Sequence, residues 1–191
     1  MQRKLIDDYI ALLKLSLDKF DRDELLAAAK VLREAADRKS SIWICGNGGS
    51  AALATHLAYD LAKGASYPYS RRYAAFALSD NNATLLSYAN DVSYDDIFIE
   101  QLKTCLRGGD VVIGLSTSGN TKNIIKAVEY ANANGGITLG LAGSSNSALS
   151  KAAKYNVTLN IDNASIVSDL HLVLSHILVD LLTDGQEKAG A

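Results

Sequence analysis

Strand-like apolar runs alternate with helical stretches from residue 41 to the end of the chain, and this alternation limits the fold more than any other feature. Asp110-Val111-Val112-Ile113-Gly114-Leu115 is the clearest strand. It has no polar alternation, which fits a strand covered on both faces. Similar runs occur at Ser41–Cys45, Tyr73–Leu78, Ile137–Leu141 and Tyr155–Ile161. Helical stretches are predicted between them at 50–63, Tyr94 to Leu106, Asn120 to Asn132 and Ile166 to Leu182. Strand–helix alternation predicts an α/β fold with a parallel sheet covered on both sides.

Two helices are predicted before the first strand. Leu5, Ile6, Tyr9, Leu12, Leu13, Leu17 and Phe20 recur at helical spacing, in a stripe wide enough for more than one partner. Asp21 followed by Glu24 reads as a capping box that opens a second helix running to Asp37.

Composition excludes several classes. With 48% hydrophobic and 21% charged residues in 191, the chain can fill the core of one ordinary domain. A net charge of -2 and no basic run beyond Arg71-Arg72 argue against a nucleic-acid partner. The N-terminus lacks the apolar run of a signal peptide, and no stretch reads as long and uncharged enough to cross a bilayer, so a cytoplasmic protein is expected. Cys45 lies inside an apolar run and reads as a buried residue rather than a ligand. The single proline, Pro68, leaves no proline-rich linker.

In parallel sheets ligands gather at the carboxyl ends of the strands, so the loops that follow strands carry the chemistry. Gly46-Asn47-Gly48-Gly49-Ser50 follows the first strand and opens a helix. Its glycines let backbone N–H groups approach an anion. It lacks the Lys-Ser/Thr of a Walker loop. Gly46, Gly48 and Ala51 fit the loose dinucleotide pattern, but Asp80, the best ribose-binding acid, comes late. A glycine turn also needs no ligand at all. Ser116-Thr117-Ser118-Gly119-Asn120-Thr121 follows the strongest strand. Its clustered hydroxyls can donate to phosphate oxygens at a helix start, and they exceed what one helix cap by Ser118 or Asn120 requires.

The acid/base candidates are few. His56 and Asp60 lie four apart on one helix face and suit an acid/base pair, two ligands of one metal, or a plain ion pair. His171 and His176 lie five apart and point in different directions, so at most one joins a site with His56. His171 reads as a packing or surface residue, and Asp180 is spaced to orient the His176 ring. Asp91 is expected in the loop after the second strand, as an acid at the sheet edge or as a helix cap.

Together these segments resemble the sugar isomerase (SIS) domain family, and within it the phosphoheptose isomerases. The resemblance rests on Cys45–Ala52, Ala77-Leu78-Ser79-Asp80-Asn81, Asn90-Asp91, Gly109-Asp110-Val111, Ser116–Asn120 and the C-terminal histidine helix, and spans nearly the whole chain. It implies a three-layer αβα sandwich with a five-stranded, Rossmann-like parallel sheet. It also implies one domain over residues 1–191, with residues 1–38 bundling into a homotetramer whose active sites lie at subunit interfaces. The activity implied is aldose–ketose isomerisation of sedoheptulose 7-phosphate to D-glycero-D-manno-heptose 7-phosphate.

Carried over by position, the substrate-binding set is Asn47, Gly48, Ser50, Asp91, Ser116, Thr117, Ser118, Thr121 and Ser168. Asp60 and His176 fall on the catalytic base and histidine. A zinc ion, held by some members, would meet His56, Asp60 and His176 here. The chain departs from the family at three places. Asp60 replaces a glutamate, Ser168 replaces a glutamine, and Lys63-Gly64-Ala65 replaces a basic segment. Two rival readings remain: a non-catalytic phosphosugar-binding SIS adaptor, and a dinucleotide-binding oxidoreductase.

Overall fold

In the computed structural model, residues 2–188 are described; Met1 and residues 189–191 of the expected 1–191 domain lie outside the described residues. The five strands are β1 (Ser41–Gly46), β2 (Ala74–Ala77), β3 (Val111–Ser116), β4 (Ile137–Ala142) and β5 (Tyr155–Thr158). They form one parallel sheet in the order β2-β1-β3-β4-β5. The helices are α1 (Gln2–Lys19), α2 (Arg22–Asp37), α3 (Gly49–Tyr59), α4 (Asn82–Asp91), α5 (Ile99–Cys105), α6 (Lys122–Ala133), α7 (Ala148–Ala152) and α8 (Ala164–Thr183).

The period of two along the strands sends alternate side chains to opposite faces. Val111, Ile113 and Leu115 of β3 join one core with Ile42 and Ile44 of β1, Leu139 and Leu141 of β4, and the inner faces of α2, α3 and α8. Val112 points the other way, into a second core with Phe98, Leu102, Ile124, Val128 and Leu149. Helices on both faces of one parallel sheet make the three-layer sandwich that the sequence predicts.

The two central strands are pinned at their amino ends. The buried Asp110 carboxylate accepts hydrogen bonds from Ser41 N at 2.9 Å, Trp43 Nε1 at 3.0 Å and Arg107 N at 3.0 Å. Three donors on one buried carboxylate satisfy it fully and fix β1 against β3.

Several boundaries differ from the sequence reading. Asp21 does cap α2, accepting from the N–H groups of Asp23 and Glu24. Glu24 does not complete a capping box; its carboxylate reaches across to Thr158 N at 2.7 Å and to the Thr158 hydroxyl. The helix expected over 50–63 is α-helical to Tyr59 and continues as a π-helical turn over Asp60–Gly64. The segment read as a loop before Tyr94 contains α4, capped by the Asn81 side chain at Thr84 N. No residue of α4 is buried, so it has no strong apolar stripe to announce it. α5 begins at Ile99 after a 3-10 turn over Tyr94–Asp96. The short helix α7 gave no periodic signal, and β5 stops at Thr158.

α8 also corrects an expectation. By length and composition it could cross a membrane, contrary to the sequence reading. Here its apolar side chains, Ile166, Val167, Leu170, Leu174, Leu178 and Leu182, are buried in the core.

His171 lies on that inner face at 0% exposure, and neither ring nitrogen has a hydrogen-bond partner. Burial pushes its pKa down from 6.5 to about 4. The native imidazole therefore stays neutral in a window where the unfolded chain binds a proton. Stability is full above pH 6.5 and falls as pH drops toward 4, by roughly 3 kcal/mol from this group. Urea unfolding between pH 7 and 4 should show that slope, and His171→Leu should flatten it; an unchanged slope in the variant would contradict the assignment.

Candidate active site

Between β1 and β3 the chain order reverses: β1 leads to β2 on one side, while β3 and β4 extend the sheet on the other. Loops after β1 and β3 diverge at this point and leave a crevice at the carboxyl edge. The two loops singled out from the sequence are these two.

After β1, Gly46 is required sterically. A Cβ there would lie 2.3 Å from the Ser50 carbonyl oxygen in the first turn of α3. Gly48 sits at φ 54 ahead of α3 and supplies no side-chain cap, so the first N–H groups of that helix face the loop. Ser50 is partly exposed there. After β3, Gly119 has φ +67, and a Cβ would lie 2.2 Å from Ser147 Oγ.

The hydroxyl loop does not spend itself on capping. Ser116, 3% exposed, accepts from Gly119 N at 3.0 Å and lies 2.9 Å from Thr121 Oγ1. Ser118 Oγ lies 3.5 Å from Ser116 Oγ and accepts from Asn120 N at 3.2 Å. Thr117 is partly exposed beside them. Asn120 Oδ1 accepts from Ala148 N, at the start of α7 rather than of its own helix. Thr121, the cap position of α6, makes no side-chain cap bond. The first N–H groups of α6 thus open onto a cluster of hydroxyls, an arrangement suited to an anion.

Asn47 belongs to the first loop, but its side-chain amide is engaged. Asn47 Nδ2 donates to Asn123 Oδ1 at 2.8 Å. Asn123 was not singled out from the sequence; only its position one residue inside α6 could have flagged it. Asp91 is the last residue of α4 and not in a loop; its exposed carboxylate accepts from Asn90 Nδ2 at 2.7 Å.

A second group of predicted residues converges farther down α3 and α8. His56 Nε2 lies 3.1 Å from Asp60 Oδ2, His176 Nε2 lies 3.7 Å from it, and the two imidazole nitrogens are 2.9 Å apart. Asp60 Oδ2 is buried and without a hydrogen-bond partner. The residues His56, Asp60 and His176 form a group able to hold a metal ion. For a tetrahedral zinc ion with bonds near 2.0–2.1 Å, ligand atoms stand ~3.4 Å apart. The observed separations bracket that value, and the orphaned carboxylate oxygen points where an ion would sit. Three protein donors with a fourth position open is the pattern of catalytic rather than structural zinc.

Two expected members stay outside this group. Ser168 precedes His176 by eight residues on α8, so helical rise alone separates their Cα atoms by about 12 Å, beyond a serine side chain. Asp180 does not orient His176: that ring faces His56 and Asp60, and the exposed Asp180 makes no side-chain hydrogen bond among the described residues. His171 is buried apart, as its spacing from His176 predicted.

The chain and its fold have clear counterparts. The SIS domain family model matches residues 7–143. The phosphoheptose isomerase of Chlorobaculum tepidum is 34% identical over 176 residues, covering 91% of this chain and 84% of that protein. That of Helicobacter pylori is 34% identical over 171 residues, covering 89% and 88%. The solved structure of phosphoheptose isomerase from Neisseria gonorrhoeae superposes with a TM-score of 0.87 at 26% identity, covering 95% of this chain and 98% of that one. With the crevice, the hydroxyl loop and the matched length in agreement, the chain belongs to the SIS domain family.

Proposed function

We propose that the protein is an aldose–ketose isomerase of a sugar phosphate, converting sedoheptulose 7-phosphate to D-glycero-D-manno-heptose 7-phosphate. The observation that carries this reading is the convergence of Asp60 Oδ2 with the Nε2 atoms of His56 and His176 within 3.7 Å. A phosphosugar-binding adaptor has no need of a buried carboxylate facing two imidazoles. A dinucleotide enzyme is disfavoured as well, because the Asp80 carboxylate accepts from the Thr55 hydroxyl instead of standing free for a ribose.

The chemistry follows from the groups. The hydroxyls of Ser116, Thr117, Ser118 and Thr121, with the open start of α6, bind the phosphate. Ser50 and Gly48 line the neighbouring loop, and Asp91 and Ser168 serve the sugar hydroxyls. Asp60 takes a proton from the carbon beside the carbonyl, giving a cis-enediol, and returns it to the former carbonyl carbon. His176 carries protons between the two oxygens, and His56 holds the Asp60 carboxylate in place. A zinc ion held by His56, Asp60 and His176 would supply a Lewis acid that polarises the carbonyl in place of the His176 proton shuttle, since a nitrogen bound to metal carries no proton. Asp60 is the shorter acid, so the reach of the reacting carbon is set by the backbone of the π-helical turn that Asp60 opens.

Along α3 the rise from Ser50 to Asp60 is about 15 Å, so phosphate grip and carboxylate stand well apart within one chain. That separation, the distance of Ser168 from His176 and the unpartnered face of α1 favour active sites completed between subunits of a homotetramer. On α1, Leu5 is 65% exposed, Ile6 60% and Ile10 44%, an apolar face that water would otherwise meet. Residues 1–38 then serve assembly within a single-domain subunit acting in the cytoplasm.

Three experiments test these assignments. Asp60→Asn and His176→Ala should each lower turnover of sedoheptulose 7-phosphate by ~10²-fold or more, followed by proton-exchange NMR; wild-type turnover in either would sink the mechanism. Zinc titrated calorimetrically into metal-free protein should bind once per chain, and His56→Ala should abolish it; undiminished binding would remove the metal assignment. Replacing Leu5 and Ile6 by Glu should reduce the mass measured by light scattering from tetramer toward monomer, with turnover falling in parallel. A tetramer surviving that change would show that α1 is not the interface.

A further inference from the structure

Asn123 is 1% exposed, and its side-chain amide is engaged by two other segments. Its Oδ1 accepts from Asn47 Nδ2 at 2.8 Å, while its Nδ2 faces Asn47 Oδ1 at 3.4 Å and the Tyr94 carbonyl at 3.3 Å. Asn47 lies in the loop after β1, Asn123 in the first turn of α6 behind the hydroxyl loop, and Tyr94 in the 3-10 turn that follows α4. A side-chain amide offers two donors and one two-lone-pair acceptor, so a reciprocal amide pair constrains orientation as well as distance, here mainly through the 2.8 Å arm. The Asn123 end is buried, so losing its partner would leave a buried amide unpaired.

The same turn is strapped to α6 by two further pairs, Lys126 with Asp96 at 2.7 Å and Lys122 with Asp95 at 4.0 Å. These are partly exposed and contribute little to rigidity. Asn123 is the buried member of the set. β1 and β3 are adjacent, and their pairing ends at Gly46↔Leu115, just before the two loops leave the sheet. Beyond that point no backbone ladder fixes the loops relative to each other. The Asn47–Asn123 pair is the direct side-chain link between them among the described residues.

We propose that Asn123 is a positioning residue: through Asn47 it locks the glycine loop against the hydroxyl loop at the separation that grips a phosphorylated ligand. The inference rests on the phosphate-binding reading of these loops. Asn123 touches no reacting atom, so its loss should weaken binding and spare the chemical step. Loosening should show at the Ser50, Ala51 and Ala52 amides, which bond to the Asn47 and Gly48 carbonyls inside the first loop.

The test uses the full-length oligomer with Asn123→Ala, Asn47→Ala and the double variant. Hydrogen exchange should accelerate at the amides of residues 50–52 in Asn123→Ala, while the β3 amides exchange as in wild type; a general loss of stability would speed both. In Asn123→Ala the KM for sedoheptulose 7-phosphate, and the dissociation constant for inorganic phosphate, should each rise roughly tenfold, with kcat held within about twofold. The double variant should match either single one, since both break one link. Unchanged exchange at residues 50–52, or effects that multiply in the double variant, would overturn the proposal. Should wild type bind neither probe, the functional reading fails, and the exchange result alone still judges whether Asn123 couples the loops.

Discussion

The pairing of β1 with β3 is the constraint on which the rest of the molecule depends. Parallel strands cannot be joined by a tight turn, so each must be followed by a crossover that returns along one face of the sheet. From the two central strands the chain leaves in opposite directions, and the crevice between the departing loops is unavoidable once these strands are neighbours. The pair is fixed at the amino ends by the three donors on Asp110. Beyond its carboxyl ends, Asn47 of the first loop bonds to Asn123 of α6.

The two candidate groups of site residues are built by different means. The loop group uses backbone: glycines where any side chain would collide, and helix starts left without side-chain caps. The acid/base group uses side chains from two packed helices, α3 and α8, whose mutual packing brings His176 to the His56–Asp60 pair. Hydrophobic contact between those helices therefore sets the separations within the cluster. Small changes in how α8 seats on the core would move His176 relative to Asp60, although the core residues involved touch no substrate.

Much of the fold was legible because a buried parallel sheet writes continuous apolar runs, and because glycine and hydroxyl clusters mark the loops. What escaped had weak or absent periodicity. α4 has no fully buried residue, α7 has only five residues, and the break at Asp60 lies inside an unbroken helical pattern. Glu24 was read as a local partner of Asp21, yet it bonds to the N–H and hydroxyl of Thr158, over a hundred residues away, a partner that only the packing of α2 on β5 brings within reach. For the site, spacing identified the His56–Asp60 pair but assigned Asp180 to His176, where the helix orientation directs the ring elsewhere.

The sequence by itself determined the five strands, most of the helices, the glycine and hydroxyl loops at the sheet edge and the short list of histidines and acids, since these follow from local periodicity and from residue type. Only the tertiary structure decided which of them meet. It joined His176 to His56 and Asp60, buried His171 without partners, held Ser168 two turns away, and tied Asn47 to Asn123. Those outcomes depend on how helices seat against a twisted sheet, a property of the whole packed core that no local stretch of residues encodes.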